Sequence, residues 1–320
     1  DLDAPSWIGA SVVTEDNNAS DYTLYGVDAL FSLGSNGQVV GEYARSSVNG
    51  TAAINGGDGS AYRIEASGEF TDNLFGLAYL RGADSEFSNN STTSFRPGQT
   101  RWGAELSALV GTDTLFEVQY DQEENRGTAP AVLTGFDALR NPGFFAAPGA
   151  TVDNSLTTIR AGVQQQIGEA TVDLAYVYRD RNDRVGNLDF SSSQIVSGLT
   201  MPLASNLSFR AQNELNLSSS NNDPVYPGRT VLGLDYTPIP EVTVRLAQQF
   251  FNSSDVAPDS ITSLDTLLDF DLTDSTQLSG RYSRLGGYVG RVIGQGAVGL
   301  NRRWNIAPGL SMDLGYERVV

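Results

Sequence analysis

The feature that most constrains this chain is an alternation of apolar and polar side chains that continues on both sides of short turns. It is clearest in residues 101–121, RWGAELSALVGTDTLFEVQYD. Trp102 and Leu106 alternate with Arg101 and Glu105, and the same period returns after the Gly-Thr-Asp turn. Because successive side chains of a strand point to opposite faces, this period predicts a β-hairpin with one apolar and one charged face.

The arms of this hairpin have the length of membrane-spanning strands. Each arm is about ten residues long, and a tilted strand needs roughly 9 to 11 residues to cross the hydrocarbon layer of a bilayer. The mean hydropathy is −0.22, and no apolar run approaches the roughly 18 to 20 residues of a membrane helix. A spanning β-barrel stays compatible with that value, because half of each strand faces a polar lumen.

Composition argues against several classes of protein. The 320 residues contain neither Cys nor His, so disulfides, thiol nucleophiles, histidine bases and the usual zinc ligands are excluded. The net charge is −18 and all 20 basic residues are arginine, which argues against a nucleic-acid partner. No pair of carboxylates and no glycine-rich loop has the spacing of a catalytic, calcium or phosphate site. We therefore expect no enzyme activity, no cofactor and no metal.

Connections between the arms fall into two sets that alternate along the chain. The short ones are turns rich in Gly, Pro, Asn, Asp, Ser and Thr, at residues 34–37, 71–73, 111–113, 168–169, 202–206, 238–241, 273–275 and 305–309. The longer, polar ones are residues 15–21, 46–60, 83–99, 122–154, 180–189, 218–228, 252–260 and 285–291. Outer-membrane barrels have short turns at one rim and long loops at the other. We predict an all-β, antiparallel up-and-down transmembrane β-barrel with about 16–18 strands in this chain, as a single domain over residues 1–320.

The width of such a barrel decides which face looks outward. Barrels of about 16 or more strands leave a lumen that side chains cannot fill, so the apolar face is expected to meet lipid. Aromatic residues near the arm ends, Tyr79, Phe116 and Tyr120 among them, predict two interfacial girdles on that face. Charged residues are expected to line the pore: Arg63, Glu65, Arg101, Glu105, Glu117, Asp121, Arg160, Asp173, Arg210, Glu214, Arg245, Asp265, Asp269 and Arg281. Each of them either sets ion preference or belongs to a cross-strand ladder of solvated pairs.

The longest connection, 122–154, is too apolar for a loop surrounded by water. It contains AVLTGFDALRNPGFFAAPGA, and part of that stretch is expected to be buried. One reading places it in the lumen as a constriction or plug, with five residues at the narrowest point: Phe136, Asp137, Arg140, Phe144 and Phe145. The other reading packs it over its own rim or against a partner.

Four hairpins carry a resemblance to a known class: FTDNLFGLAYLRG, LVGTDTLFEVQYD, QIGEATVDLAYVYRD and DLTDSTQLSGRYS. They resemble the porin-type β-barrels of Gram-negative outer membranes, over nearly the whole chain. The resemblance implies a cell-surface location in the outer membrane of a diderm bacterium. It also implies a channel for passive passage of ions or small polar solutes, with outer-membrane lipid around it and a homo-oligomer or surface proteins as further partners.

Two departures from that class favour a rival function. The chain ends Glu317-Arg318-Val319-Val320, where porin-type barrels usually close on an aromatic residue. The arms number 17, and bacterial single-chain barrels have an even strand number. Both features predict that the barrel is incomplete at the C-terminus and has 18 or more strands in all. The rival is therefore a structural anchor or surface-assembly barrel of a larger outer-membrane protein, plugged and not conducting.

Overall fold

The structure is a computed structural model made almost entirely of β-strands. It describes residues 6–17, 20–34, 36–50, 57–88, 98–128, 150–217, 223, 226–252, 260–273, 275–288, 291–307 and 310–319. None of these residues lies in a helix, so none of them belongs to a helix long and apolar enough to cross a membrane.

Seventeen strands account for most of the described residues. In chain order they are β1 (Trp7–Asn17), β2 (Ser20–Leu33), β3 (Gly37–Gly50), β4 (Asp58–Thr71), β5 (Leu74–Ala83), β6 (Gln99–Val110), β7 (Thr114–Thr128), β8 (Thr151–Ile167), β9 (Ala170–Asp183), β10 (Leu188–Ala204), β11 (Leu207–Asn216), β12 (Arg229–Ile239), β13 (Val242–Phe251), β14 (Ser260–Thr273), β15 (Thr276–Tyr288), β16 (Arg291–Ala307) and β17 (Leu310–Val319).

Consecutive strands pair with each other in two runs of the chain. The pairing is antiparallel from β1 through β7 and again from β10 through β17. This confirms the predicted up-and-down antiparallel architecture and the expected number of strands. Every predicted short turn joins two consecutive strands, although several turns are shorter than predicted because strands such as β10 continue into them.

The prediction that long loops alternate strictly with short turns is wrong at three places. The strands flanking 15–21, 180–189 and 285–291 are separated only by residues 18–19, 184–187 and 289–290. The reason is that main-chain pairing does not depend on side-chain polarity. Asp16 and Asp21 are register partners in the β1–β2 ladder, so a polar stretch that looked like a loop extends the hairpin instead.

The chain separates into two compact units. The first unit contains β1 to β7, and the second contains β11 to β17. A single domain over residues 1–320 stays a prediction.

In both units the sheet has one apolar and one polar face. In the first unit, register aligns Ile64 with Leu80 and Leu80 with Trp102, and all three side chains are exposed. In the second unit, Leu234 pairs with Leu246 and both are likewise exposed. Large apolar side chains in rows of this kind need a non-aqueous environment. We call this side the apolar face, and the side that carries the charged residues the polar face.

Candidate functional site

The polar face of β2 to β6 carries a row of charges set by strand register. The directly opposed pairs are Asp28 with Glu42, Glu42 with Arg63, Arg63 with Arg81, and Arg81 with Arg101. Side chains at directly opposed positions lie on the same face with their Cβ atoms about 4.5–5.5 Å apart. Arg63, Arg81 and Arg101 therefore form three neighbouring guanidinium groups, which we call the arginine row.

Arg63, at one end of the row, is held by two carboxylates. Its Nη1 atom lies 3.3 Å from Oε1 of Glu42 on β3, and its Nη2 atom lies 2.8 Å from Oε2 of Glu65 on its own strand. Glu65 is two residues along β4 and so shares the polar face with Arg63. Both acids are partly exposed, so these pairs position the guanidinium more than they stabilise the fold.

Arg101, at the other end, belongs to a tighter group. Its Nε atom lies 2.7 Å from Oδ2 of Asp121, whose side chain is only 7% exposed. The hydroxyl of Tyr79 donates a hydrogen bond to the same carboxylate, and the Arg101 guanidinium lies 5.9 Å from the centroid of the Tyr79 ring. The Asp121 carboxylate therefore binds both the Arg101 guanidinium and the Tyr79 hydroxyl.

Gly103 makes that arrangement possible. Residue 103 stands between Tyr79 and Asp121 in the register of β5, β6 and β7. A Cβ atom at this position would lie 2.8 Å from the Tyr79 hydroxyl oxygen and 2.4 Å from the carbonyl oxygen of Tyr120. Only glycine leaves room for the Tyr79 ring to cross β6 and reach the carboxylate.

A recess of about 260 Å³ opens beside the arginine row. Its lining residues are Arg63, Glu65, Leu77, Tyr79, Arg81 and Arg101. Among the residues that the structure describes, Arg81 makes no hydrogen bond or ion pair. The recess therefore combines an available guanidinium with an apolar and aromatic wall.

Further acids and one arginine lie beyond this row on β6, β7 and β8. Arg160 Nε is 3.8 Å from Oε2 of Glu117. Glu105 is the register partner of Gln119, so it stands diagonally across from Glu117 on the same face. The pair of neighbouring acids gives this part of the polar face a negative character that the single ion pair with Arg160 offsets only in part.

The second unit has its own charged group on the polar face of β11 to β14. Arg210 binds Asp235 with two hydrogen bonds of 2.8 Å, from Nε to Oδ2 and from Nη2 to Oδ1. Arg245 approaches the same carboxylate at 4.0 Å. Asp265 is the register partner of Arg245 and accepts a 2.5 Å hydrogen bond from the hydroxyl of Ser283. A bidentate pair of this kind fixes the position of a guanidinium.

The other predicted residues of this unit also lie on the polar face. Asp269 pairs with Ser279, and Arg281 lies two residues further along β15 on the same face, opposite Leu267. Glu214 is buried and accepts a hydrogen bond of 2.9 Å from Arg229.

Asp173, on β9, lies against Gly198. The Asp173 carboxylate oxygens occupy the space that a Cβ atom of Gly198 would fill. Gly198 is the register partner of Gln212, whose amide donates to Glu214 on the polar face. All the charged residues predicted to line a pore are thus found on the polar face, while pore lining itself stays a proposal.

A short segment after β5, residues 84–88, folds onto the polar face of β2 to β5. Phe87 is 3% exposed and packs in a cluster with Tyr22, Leu24, Ala61 and Ala83. These four residues share the face of Glu42 and Arg63, since they are an even number of positions from polar-face residues of their own strands. The segment therefore covers part of the polar face at the end of these strands.

Hydrogen bonds attach this segment at both ends. The Asp84 carboxylate accepts hydrogen bonds from the Ser60 hydroxyl and the Ser60 backbone N–H, at 2.7 Å and 2.8 Å. The hydroxyl bond and the backbone bond lower the pKa of Asp84 below its usual value. At the other end, the Ser88 N–H donates to the Ser46 hydroxyl, and Tyr22 donates to the Ser88 carbonyl.

The structure corrects the sequence analysis at two further points. Tyr79 was predicted to belong to an aromatic girdle on the apolar face, and it lies on the polar face bound to Asp121. Glu42 and Arg81 were not predicted at all. The arm LFGLAYLRGA has Leu77 and Tyr79 on one face and Leu80 on the other, so its alternation does not reveal which face is polar.

The predicted constriction lies mostly outside the described residues. Of residues 122–154, the first seven continue β7 and the last four begin β8. Phe136, Asp137, Arg140, Phe144 and Phe145 lie outside the described residues, so their place at a constriction stays a prediction. Within the described part of the chain, no cluster of three or more potential metal ligands occurs.

Solved structures with similar folds are outer-membrane proteins. The siderophore receptor PirA from Pseudomonas aeruginosa matches with a TM-score of 0.53 and 10% identity, over 98% of this chain and 64% of that one. The FrpB iron transporter from Neisseria meningitidis matches with a TM-score of 0.50 and 11% identity, over 89% and 57%. The fold is that of an outer-membrane β-barrel.

This chain spans less than two thirds of the PirA and FrpB chains. A mutant of the Rh. blastica porin is also similar, with a TM-score of 0.46 and 10% identity over 96% of this chain and all of that one. No model of a known protein family matches the chain, and no curated protein matches it. At these identities the likeness is one of fold.

Proposed function

We propose that this protein is an outer-membrane channel that allows ions or small polar solutes to pass through a charged lumen. In this proposal, residues 1–320 form one barrel domain, lipid covers the apolar face and water fills the space beside the polar face. Porin-type and receptor-type barrels share this division between faces, and the similar solved structures include an iron transporter, a siderophore receptor and a porin.

The proposal rests on one observation: charged and apolar side chains lie on opposite faces of the paired strands β4 to β7. Arg63, Arg101 and Asp121 lie on one face of the same strands whose other face exposes Trp102 and Leu106. A wide barrel cannot bury either face in a side-chain core. The charged face is then satisfied only by water and its own ion pairs, and a water-filled lumen with such walls conducts ions.

Conductance in planar lipid bilayers tests this function. We expect stepwise current increments when the folded protein inserts. Correctly inserted protein without current increments would contradict the channel. That outcome would support the rival, a plugged or anchoring barrel, for which the segment 84–88 already covers part of the polar face.

The lumen is expected to prefer cations, and the acids at 105 and 117 are expected to contribute. A unit charge about 8 Å away in water is worth roughly 0.5 kcal/mol, so removing two such charges changes the energy of a permeating cation by about 1 kcal/mol. The Glu105→Gln, Glu117→Gln double variant should therefore lower the cation-to-anion permeability ratio at least about fivefold at low salt, where screening is weak. Reversal potentials in a salt gradient measure that ratio. Glu169→Gln, in the turn before β9, is the matched control and should leave it unchanged. A ratio that stays the same in the double variant would contradict the placement of these acids in the lumen.

A further inference from the structure

We infer that the recess beside Arg81 is a subsite for the carboxylate group of a small organic monoanion. Its use in transport rests on the proposed channel function, whereas binding at the recess can be measured on protein that does not conduct. The inference stands on the register of the arginine row, on the contacts of its three members and on the lining of the recess.

The arginine row is an unfavourable arrangement unless anions lie beside it. Like charges directly opposite each other on neighbouring strands destabilise a sheet. Arg81 has an arginine as its register partner on both sides, Arg63 on β4 and Arg101 on β6. The carboxylates of Glu42, Glu65 and Asp121 balance the three arginines in number, so an anion is attracted by Arg81 itself and not by a positive surplus of the row.

The acids around the row form ion pairs with its two outer arginines and not with the central one. Arg63 is engaged by Glu42 and Glu65, and Arg101 by Asp121. Arg81 has no such partner among the described residues. Its planar guanidinium therefore offers the two parallel N–H donors that bind one carboxylate in a bidentate manner.

The rest of the recess defines the kind of anion. Leu77 and the Tyr79 ring give the recess an apolar part of its lining, which favours an organic group over a bare inorganic ion. The volume of about 260 Å³ lies just below the roughly 300–1,000 Å³ of typical ligand sites, so the molecule is small. Glu65 lies in the lining as well and repels a second negative charge, which favours a monoanion.

Calorimetric titration of the protein folded in detergent micelles tests the subsite, with benzoate as the probe. Benzamide has the same shape without the charge, and inorganic phosphate has charge without an apolar part. We expect saturable binding of benzoate and at least about tenfold weaker binding of benzamide and phosphate, because hydrogen bonds to charged groups contribute about 1.5–3 kcal/mol. Equal binding of benzoate and benzamide, equal binding of phosphate, or no saturable benzoate binding would overturn the inference.

Substitutions of Arg81 test whether benzoate binds at the recess. Arg81→Gln should weaken benzoate binding at least about tenfold, and Arg81→Lys should be intermediate because it keeps the charge and loses the planar fork. Arg160→Gln, on the same polar face but outside the recess, is the control and should bind like the unmodified protein. Unchanged affinity in both Arg81 variants would contradict the site. If Arg81→Gln does not fold, Arg81→Lys decides the question.

The two proposals fail in different ways. If the protein conducts but does not bind benzoate, the channel proposal stands and the subsite is contradicted. If the protein binds benzoate through Arg81 but does not conduct, the subsite stands and the channel proposal is contradicted.

Discussion

Replacing Phe87 with alanine is expected to lower the free energy of unfolding by about 3 to 5 kcal/mol, the range for removing a buried phenylalanine. The ring is 3% exposed and fills the space between Leu24, Ala61 and Ala83 on the polar face. Urea titration of the folded protein, followed by tryptophan fluorescence, measures the change. Val185→Ala, at an exposed position between β9 and β10, should change stability by less than about 0.5 kcal/mol.

A second variant tests the same segment from the opposite side. A Cβ atom at Gly59 would lie 2.2 Å from the Phe87 nitrogen and 2.4 Å from the Phe87 Cα atom, and backbone atoms cannot move out of the way without releasing the segment. Gly59→Val should therefore destabilise the protein by about as much as Phe87→Ala, since overpacking costs about 1–3 kcal/mol and the ring contacts are lost as well. Wild-type stability in both variants would contradict the attachment of residues 84–88 to the polar face.

Replacing Asp121 with alanine is the other change with a large expected effect. It leaves Arg101 without its ion-pair partner and Tyr79 without its hydrogen-bond acceptor. Breaking a buried pair by removing one partner costs about 3–5 kcal/mol. Because Arg101 still reaches water, we expect about 3 kcal/mol, the lower end of that range. The same urea titration measures it.

An exposed ion pair on the same strand provides the matched control for Asp121. Glu124 lies 3.7 Å from Arg126, and both side chains are largely exposed. Glu124→Ala should therefore cost less than about 1 kcal/mol. A double-mutant cycle with Arg101→Met isolates the pairing energy of Arg101 and Asp121. If Asp121→Ala costs no more than Glu124→Ala, the group around Asp121 does not have the stabilising role assigned to it.

The alternation of apolar and polar residues predicted the sheet, because successive side chains of a strand point to opposite faces. Arg101, Glu105, Glu117 and Asp121 could be assigned from the sequence, since their neighbours on the other face are consistently apolar. The fold class and the up-and-down order follow from the same pattern and the turn residues. These features depend on local chemistry, which a sequence shows.

Features that depend on register or on long-range packing could not be predicted in this way. Tyr79 looked like a girdle residue, because nothing local shows that Gly103 on the next strand gives its ring a path to Asp121. Arg81 lies on an arm with apolar residues on both faces, so only register reveals that arginines stand on both sides of it. Phe87 lies in a polar connection, and its burial depends on Gly59 and on the small side chain of Ala61.

The most direct test of the account asks which face of one strand meets water and which meets lipid. The chain has no cysteine, so single cysteines at positions 105 and 106 can be labelled without background in lipid vesicles. The account predicts that a charged, membrane-impermeant thiol reagent modifies Glu105→Cys and leaves Leu106→Cys unmodified. A fluorophore attached before reconstitution should be quenched by brominated lipid only at position 106. Labelling of position 106 by the aqueous reagent, with lipid quenching at position 105, would contradict the outward apolar face and the charged lumen together.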